Sequence, residues 1–109
     1  MMARSTPYVS EGRLFYWRET ERLWISHTIG AEAWYRWLDQ PENRLFYVRD
    51  APMTVRRESV KGKRDPYWYA YRKRGGTLAK VYLGRSDQLT PTCLAASAHQ
   101  LDDKQGATG

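Results

Sequence analysis

The sequence predicts an α+β protein: an antiparallel three-stranded sheet packed on a C-terminal helix, preceded by a β-hairpin and a Trp-rich helix. Three observations carry that expectation. Residues 67–85 read as strand, Gly-Gly turn and strand. Leu94, Ala98 and Leu101 form a narrow apolar stripe soon after them. Trp34, Trp37 and Leu38 recur at i, i+3 and i+4, a second helical stripe. The 109 residues suit one domain, and 41% hydrophobic with 14% aromatic residues is the composition of a folded chain.

Taken in order, residues 1–12 show little periodicity and read as a flexible lead-in to a domain over 13–101. Arg13 to Trp17 is a strand, and Glu19-Thr20 turns it into a second one, Arg22 to Ser26. Thr28 to Gln40 reads as a helix capped by Thr28 and ended by Pro41, because the residue before proline avoids the helical region. Residues 44–49 repeat residues 13–18 at five of six positions, which implies two similar strands or chance, and not a solenoid. Asp50-Ala51-Pro52 is a turn, Met53 to Val60 a strand, and Lys61 to Pro66 a basic loop. Thr90 is the N-cap candidate of the last helix, 90–101, with Pro91 at N1 and Leu89 and Leu94 at the staple positions. Residues 102–109 are polar and Gly-ended and read as a flexible tail.

The hairpin carries the functional expectation. A two-residue type I′ turn at Gly75-Gly76 pairs Arg74 with Thr77, Tyr71 with Lys80, Tyr69 with Tyr82 and Trp68 with Leu83. Alternation then puts Trp68, Ala70, Ala79, Val81 and Leu83 on one face and Tyr67, Tyr69, Tyr71, Lys73, Lys80 and Tyr82 on the other. The apolar face takes the last helix. The other face is either an open aromatic and cationic surface or is covered by the N-terminal half; its lysines speak for the open surface. The charge is also localised. Residues 53–85 hold ten Lys/Arg and two Asp/Glu, against eight and ten in the rest of a chain of net charge +6. A basic block of that kind is an electrostatic footprint for nucleic acid.

Residues 53–101, above all Lys80-Val81-Tyr82-Leu83-Gly84-Arg85 with Thr90 opening a helix, resemble the integrase-type DNA-binding domains, including the AP2 domain and the arm-binding domains of tyrosine recombinases. In that family the sheet enters the DNA major groove and the helix packs behind it. The resemblance implies that Arg56, Tyr69, Tyr71, Lys73 and Lys80 face DNA. The order Trp34-x-x-Trp37-Leu38, Phe46, Thr54 to Glu58, Tyr67 to Arg72, Tyr82-Leu83-Gly84 and Leu89-Thr90 is also similar to N-terminal segments of large bacterial regulators of the MalT/LuxR type.

The expectation is therefore a non-enzymatic nucleic-acid-binding protein, contacting double-stranded DNA, or RNA, through the Tyr/Lys face of the 53–84 sheet. Its contact residues would be Arg56, Lys61, Lys63, Arg64, Tyr69, Tyr71, Arg72, Lys73, Arg74, Lys80, Tyr82 and Arg85, with the loop and turn cations on phosphates. The rival expectation is a protein-interaction module of a bacterial transcriptional regulator, with the aromatic face as its partner site. No cofactor or metal is called for: His27 and His99 stand apart, and the acidic residues form no recognisable pair. The lone Cys93 excludes an internal disulfide and fits a reducing cytoplasm. No apolar run approaches the roughly 20 residues of a membrane span.

Overall fold

A computed structural model describes residues 6–59 and 67–106. In chain order the elements are β1 (Tyr8–Ser10), β2 (Arg13–Arg18), β3 (Leu23–Thr28), α1 (Glu32–Asp39), β4 (Leu45–Val48), β5 (Met53–Glu58), β6 (Tyr67–Arg74), β7 (Thr77–Gly84) and α2 (Pro91–Gly106). All seven strands belong to one sheet, ordered β3-β2-β1-β4-β5-β6-β7. This corrects the expected architecture. There is no separate three-stranded antiparallel sheet; β5, β6 and β7 are one flank of a seven-stranded mixed sheet.

The expectation fails at β1. Tyr8 and Val9 pair antiparallel with Phe15 and Leu14 on one side and parallel with Tyr47 and Val48 on the other. Tyr47 N–H also donates to Pro7 O, and Arg49 N–H to Val9 O, both at 2.9 Å. A strand of three residues is too short to show a period, so the lead-in hides the element that joins the two halves of the sheet. Both copies of the six-residue repeat form strands, β2 and β4, but the two are not equivalent. Leu14 of β2 is buried, whereas its counterpart Leu45 of β4 is exposed. The two copies run in opposite senses beside β1 and present opposite faces.

The β6–β7 hairpin follows its sequence register closely. Gly75 and Gly76 both have positive φ, +57° and +84°, as a type I′ turn requires. Pairing runs as expected from Arg74↔Thr77 to Tyr69↔Tyr82. An irregularity then intervenes, and Trp68 faces Gly84 in place of the expected Leu83.

Both helices pack on one face of the sheet. Trp34, Trp37 and Leu38 of α1 and Leu94, Ala98 and Leu101 of α2 are buried against Leu14, Phe46, Val55, Trp68, Ala70 and Val81. The Trp34 indole N–H donates to Leu89 O at 2.8 Å, and its ring meets Phe46 edge-on at 5.3 Å. That hydrogen bond ties α1 to the segment leading into α2. α1 is shorter than its periodicity suggests, because Thr28 ends β3 and Gly30, at φ +95°, turns the chain before Glu32. α2 begins as expected, with Cys93 N–H donating to the Thr90 hydroxyl at 3.0 Å. It continues past residue 101, the expected end, to Gly106.

Its last turns are fastened to the hairpin. Arg72, only 7% exposed, donates through Nε to Pro52 O at 2.6 Å and forms an ion pair with Asp102. Lys104 donates to Lys80 O at 3.0 Å, and Gln105 to Arg72 O at 2.9 Å. The hydrogen bond from Arg72 holds the Asp102 carboxyl below the usual carboxylate range. A lowered carboxyl pKa contributes stability that is present above the ordinary value of about 4 and is lost as pH falls through the lower folded value. Urea midpoints measured from about pH 5 downward should therefore fall more steeply for the wild type than for Asp102→Asn, which already lacks the pair. Among the described residues no helix is long and apolar enough to cross a membrane.

Candidate nucleic-acid interface

Strand alternation gives the sheet a second face, with no helix on it among the described residues. Cross-strand pairs place Tyr8 with Phe15, Trp17 with Trp24, Tyr47 with Thr54, Thr54 with Tyr71, Arg56 with Tyr69, and Tyr69 with Tyr82 on this face. With Tyr67 it carries nine of the chain's fifteen aromatic residues, which decides that the rings mostly face away from the core.

The rings cluster at the two flanks. On β5–β7, Tyr82 lies 5.4 Å from Tyr69 and 5.8 Å from Tyr67, centroid to centroid. Lys80 Nζ sits 4.3 Å from the Tyr69 centroid and 5.4 Å from that of Tyr71, and the Arg56 guanidinium 6.0 Å from Tyr71. Glu58 is the acid of this cluster. It pairs with Lys80 at 3.4 Å and accepts from the Tyr71 hydroxyl. Tyr82, 57% exposed, presents a ring that a ligand can cover. On β1–β3, Tyr8 stacks on Phe15 at 5.1 Å and meets Trp24 edge-on at 6.0 Å, while Trp17 meets Trp24 at 5.9 Å. Arg49 lies over Tyr8 at 4.9 Å. Between the flanks, Thr6, Tyr8, Leu45, Tyr47, Arg49 and Thr54 line a shallow depression of about 420 Å³.

The structure brings Arg56, Tyr69, Tyr71, Lys73, Lys80 and Tyr82 together on this face by alternation. It does not bring Arg72 there. Arg72 shares the parity of Trp68 and Ala70, lies under α2 and spends its guanidinium on Asp102 and Pro52. Arg74 has the same parity but is exposed beside the hairpin turn. Arg85 is exposed just past β7, at a cleft on the helix-bearing side. Lys61, Lys63 and Arg64 lie outside the described residues.

Sequence reasoning missed the second flank entirely. Phe15, Trp17 and Trp24 alternate with their neighbours and could have been seen as one face of a hairpin, but nothing local shows that β1 continues that face into β4. Burial pushes the Cys93 thiol up, away from the reactive thiolate. Among the described residues, no group of three His, Cys, Asp or Glu side chains is placed to hold a metal ion. No family model, curated protein or solved structure matches the chain.

Proposed function

We propose that the protein binds single-stranded nucleic acid across the open face of its sheet, with bases on the aromatic rings and phosphates on the interleaved cations. The observation that carries this reading is the pairing of the half-buried Tyr69, Tyr71 and Tyr8 with Lys80, Arg56 and Arg49 at cation–π distances, on a face that carries no helix among the described residues. Single-strand binders combine a positive path for the backbone with rings on which successive bases stack, each stack contributing roughly 1–3 kcal/mol. Size favours a single strand over a duplex. Seven strands at about 4.8 Å spacing span about 29 Å from β3 to β7, whereas the major groove admits an element of about 12 Å. The three-stranded sheet expected from sequence would have fitted a groove; this face is too broad.

Fluorescence anisotropy with an oligo-dT strand tests the reading. Four neutralised phosphates give a slope of log K against log salt near −3, and a loss of about 50-fold between 50 and 200 mM salt. Lys73→Ala with Lys80→Ala should reduce that slope while the domain stays folded. A protein partner on the same face is the second reading. It is favoured by Leu45 and Leu78, which are 38% and 60% exposed there and offer a base no ring. Absence of strand binding at low salt would remove the first reading and leave the second.

A further inference from the structure

On the opposite side of the sheet, the end of α1, the end of β5 and the turn after β7 enclose a cleft of about 860 Å³. Three arginines line it, Arg44, Arg57 and Arg85, against two acids, Asp39 and Asp87. Arg57 is the central one. Its guanidinium lies 5.0 Å from the Trp68 ring and donates to two neutral acceptors, Leu38 O and, at 3.2 Å, Gln40 O. Its Nε is buried and makes no hydrogen bond among the described residues. No carboxylate among them lies within ion-pair distance of it. Among the described residues, then, this half-buried cation is served by carbonyls and has no anion that would compensate its desolvation. Burial is accordingly the largest influence on its proton affinity, which is lowered, with Asp39 opposing. Ser86 completes the wall. Its hydroxyl accepts from the Trp68 indole N–H at 2.8 Å, so its own proton is free to donate toward the cleft.

We propose that this cleft is a binding site for a phosphate group, held by Arg44, Arg57 and Arg85 with the Ser86 hydroxyl. Planar guanidinium groups match phosphate oxygens in geometry and charge, and such hydrogen bonds are the strong ones. The site lies apart from the open face. Only one source of the phosphate, the end of a bound strand, rests on the single-strand reading; the other is free phosphate.

The Trp68 indole is a built-in reporter, because it touches both Arg57 and Ser86. Inorganic phosphate added to ¹⁵N-labelled full chain at constant ionic strength should shift the Trp68 indole N–H resonance. Arg44→Ala should weaken the apparent affinity about tenfold, and Arg44→Ala with Arg85→Ala should abolish the response. Lys73→Ala with Lys80→Ala, on the other face, should leave it intact, so a failure of strand binding and a failure of this site are separate results. A 5′-phosphorylated oligonucleotide that shifts Trp68 where its unphosphorylated form does not identifies the strand end as the source; a response to inorganic phosphate alone identifies the free ion. No shift with either probe, an equal shift with chloride, or a shift that survives the double arginine variant would overturn the proposal.

Discussion

Replacing Tyr69 and Tyr82 together by alanine should weaken oligo-dT binding by about 30-fold or more, with little change in the thermal midpoint. Each ring supports about one stacked base, and a stack contributes roughly 1–3 kcal/mol, which for two rings gives about 30-fold at the low end. The fold should tolerate the change because neither side chain belongs to the buried cluster under the helices. Tyr82 is exposed and Tyr69 half-buried beside Lys80. Removing the rings also removes the face over which Lys80 is held, so the electrostatic contribution should fall with the stacking one. Anisotropy titrations at low salt, with far-UV circular dichroism as the folding control, read both effects. Unchanged affinity in the folded variant would move the site off β6–β7.

The second large effect concerns the fold that builds the face. Trp34→Ala should destabilise the domain by about 3–5 kcal/mol, from the loss of a fully buried aromatic ring and the cavity it leaves. The cost should lie at the upper end, because the same change leaves Leu89 O without its buried donor. For a domain whose total stability is of order 5–15 kcal/mol, that removes a third or more of it. Trp34→Phe should cost less, since it keeps much of the packing against Trp37 and Phe46 and loses mainly the hydrogen bond. Urea denaturation followed by tryptophan fluorescence should rank the two variants in that order. Equal costs would show that the indole N–H, and not the ring, carries the effect.

Local patterns were legible in the sequence and long-range joins were not. The Gly75-Gly76 turn fixed the register of β6 and β7 because both positions need positive φ, and that register separated Tyr69 and Lys80 from Ala70 and Val81 correctly. The Trp34/Trp37/Leu38 and Leu94/Ala98/Leu101 stripes pointed to the two helices and their buried sides. The seven-stranded sheet could not be read. It depends on three residues, Tyr8 to Ser10, that pair with strands on both sides across a parallel junction, and parallel pairing between distant segments leaves no local period. The same gap hid half of the candidate face. Phe15, Trp17 and Trp24 read as a hairpin of unknown destination until β1 joins them to Tyr47. Arg72 was misplaced for a different reason: as a cation it looked like a phosphate ligand, yet its strand parity matches Trp68 and Ala70, and Asp102 lies on α2 to receive it. The cleft at Arg57 was invisible because its three arginines come from three separate segments of the chain.

The central claim is that one single strand lies across the open face and reaches both aromatic flanks. The five indole N–H resonances test it most directly, because Trp17 and Trp24 lie on that face while Trp34 and Trp37 are buried between α1 and the opposite face of the sheet. Titration of ¹⁵N-labelled protein with an oligo-dT strand lacking a terminal phosphate should shift Trp17 and Trp24 together with the backbone amides of Tyr69, Lys80 and Tyr82, and leave Trp34 and Trp37 in place. Saturable shifts confined to residues on the helix-bearing side, or no shift of Trp17 and Trp24 at saturation, would contradict it.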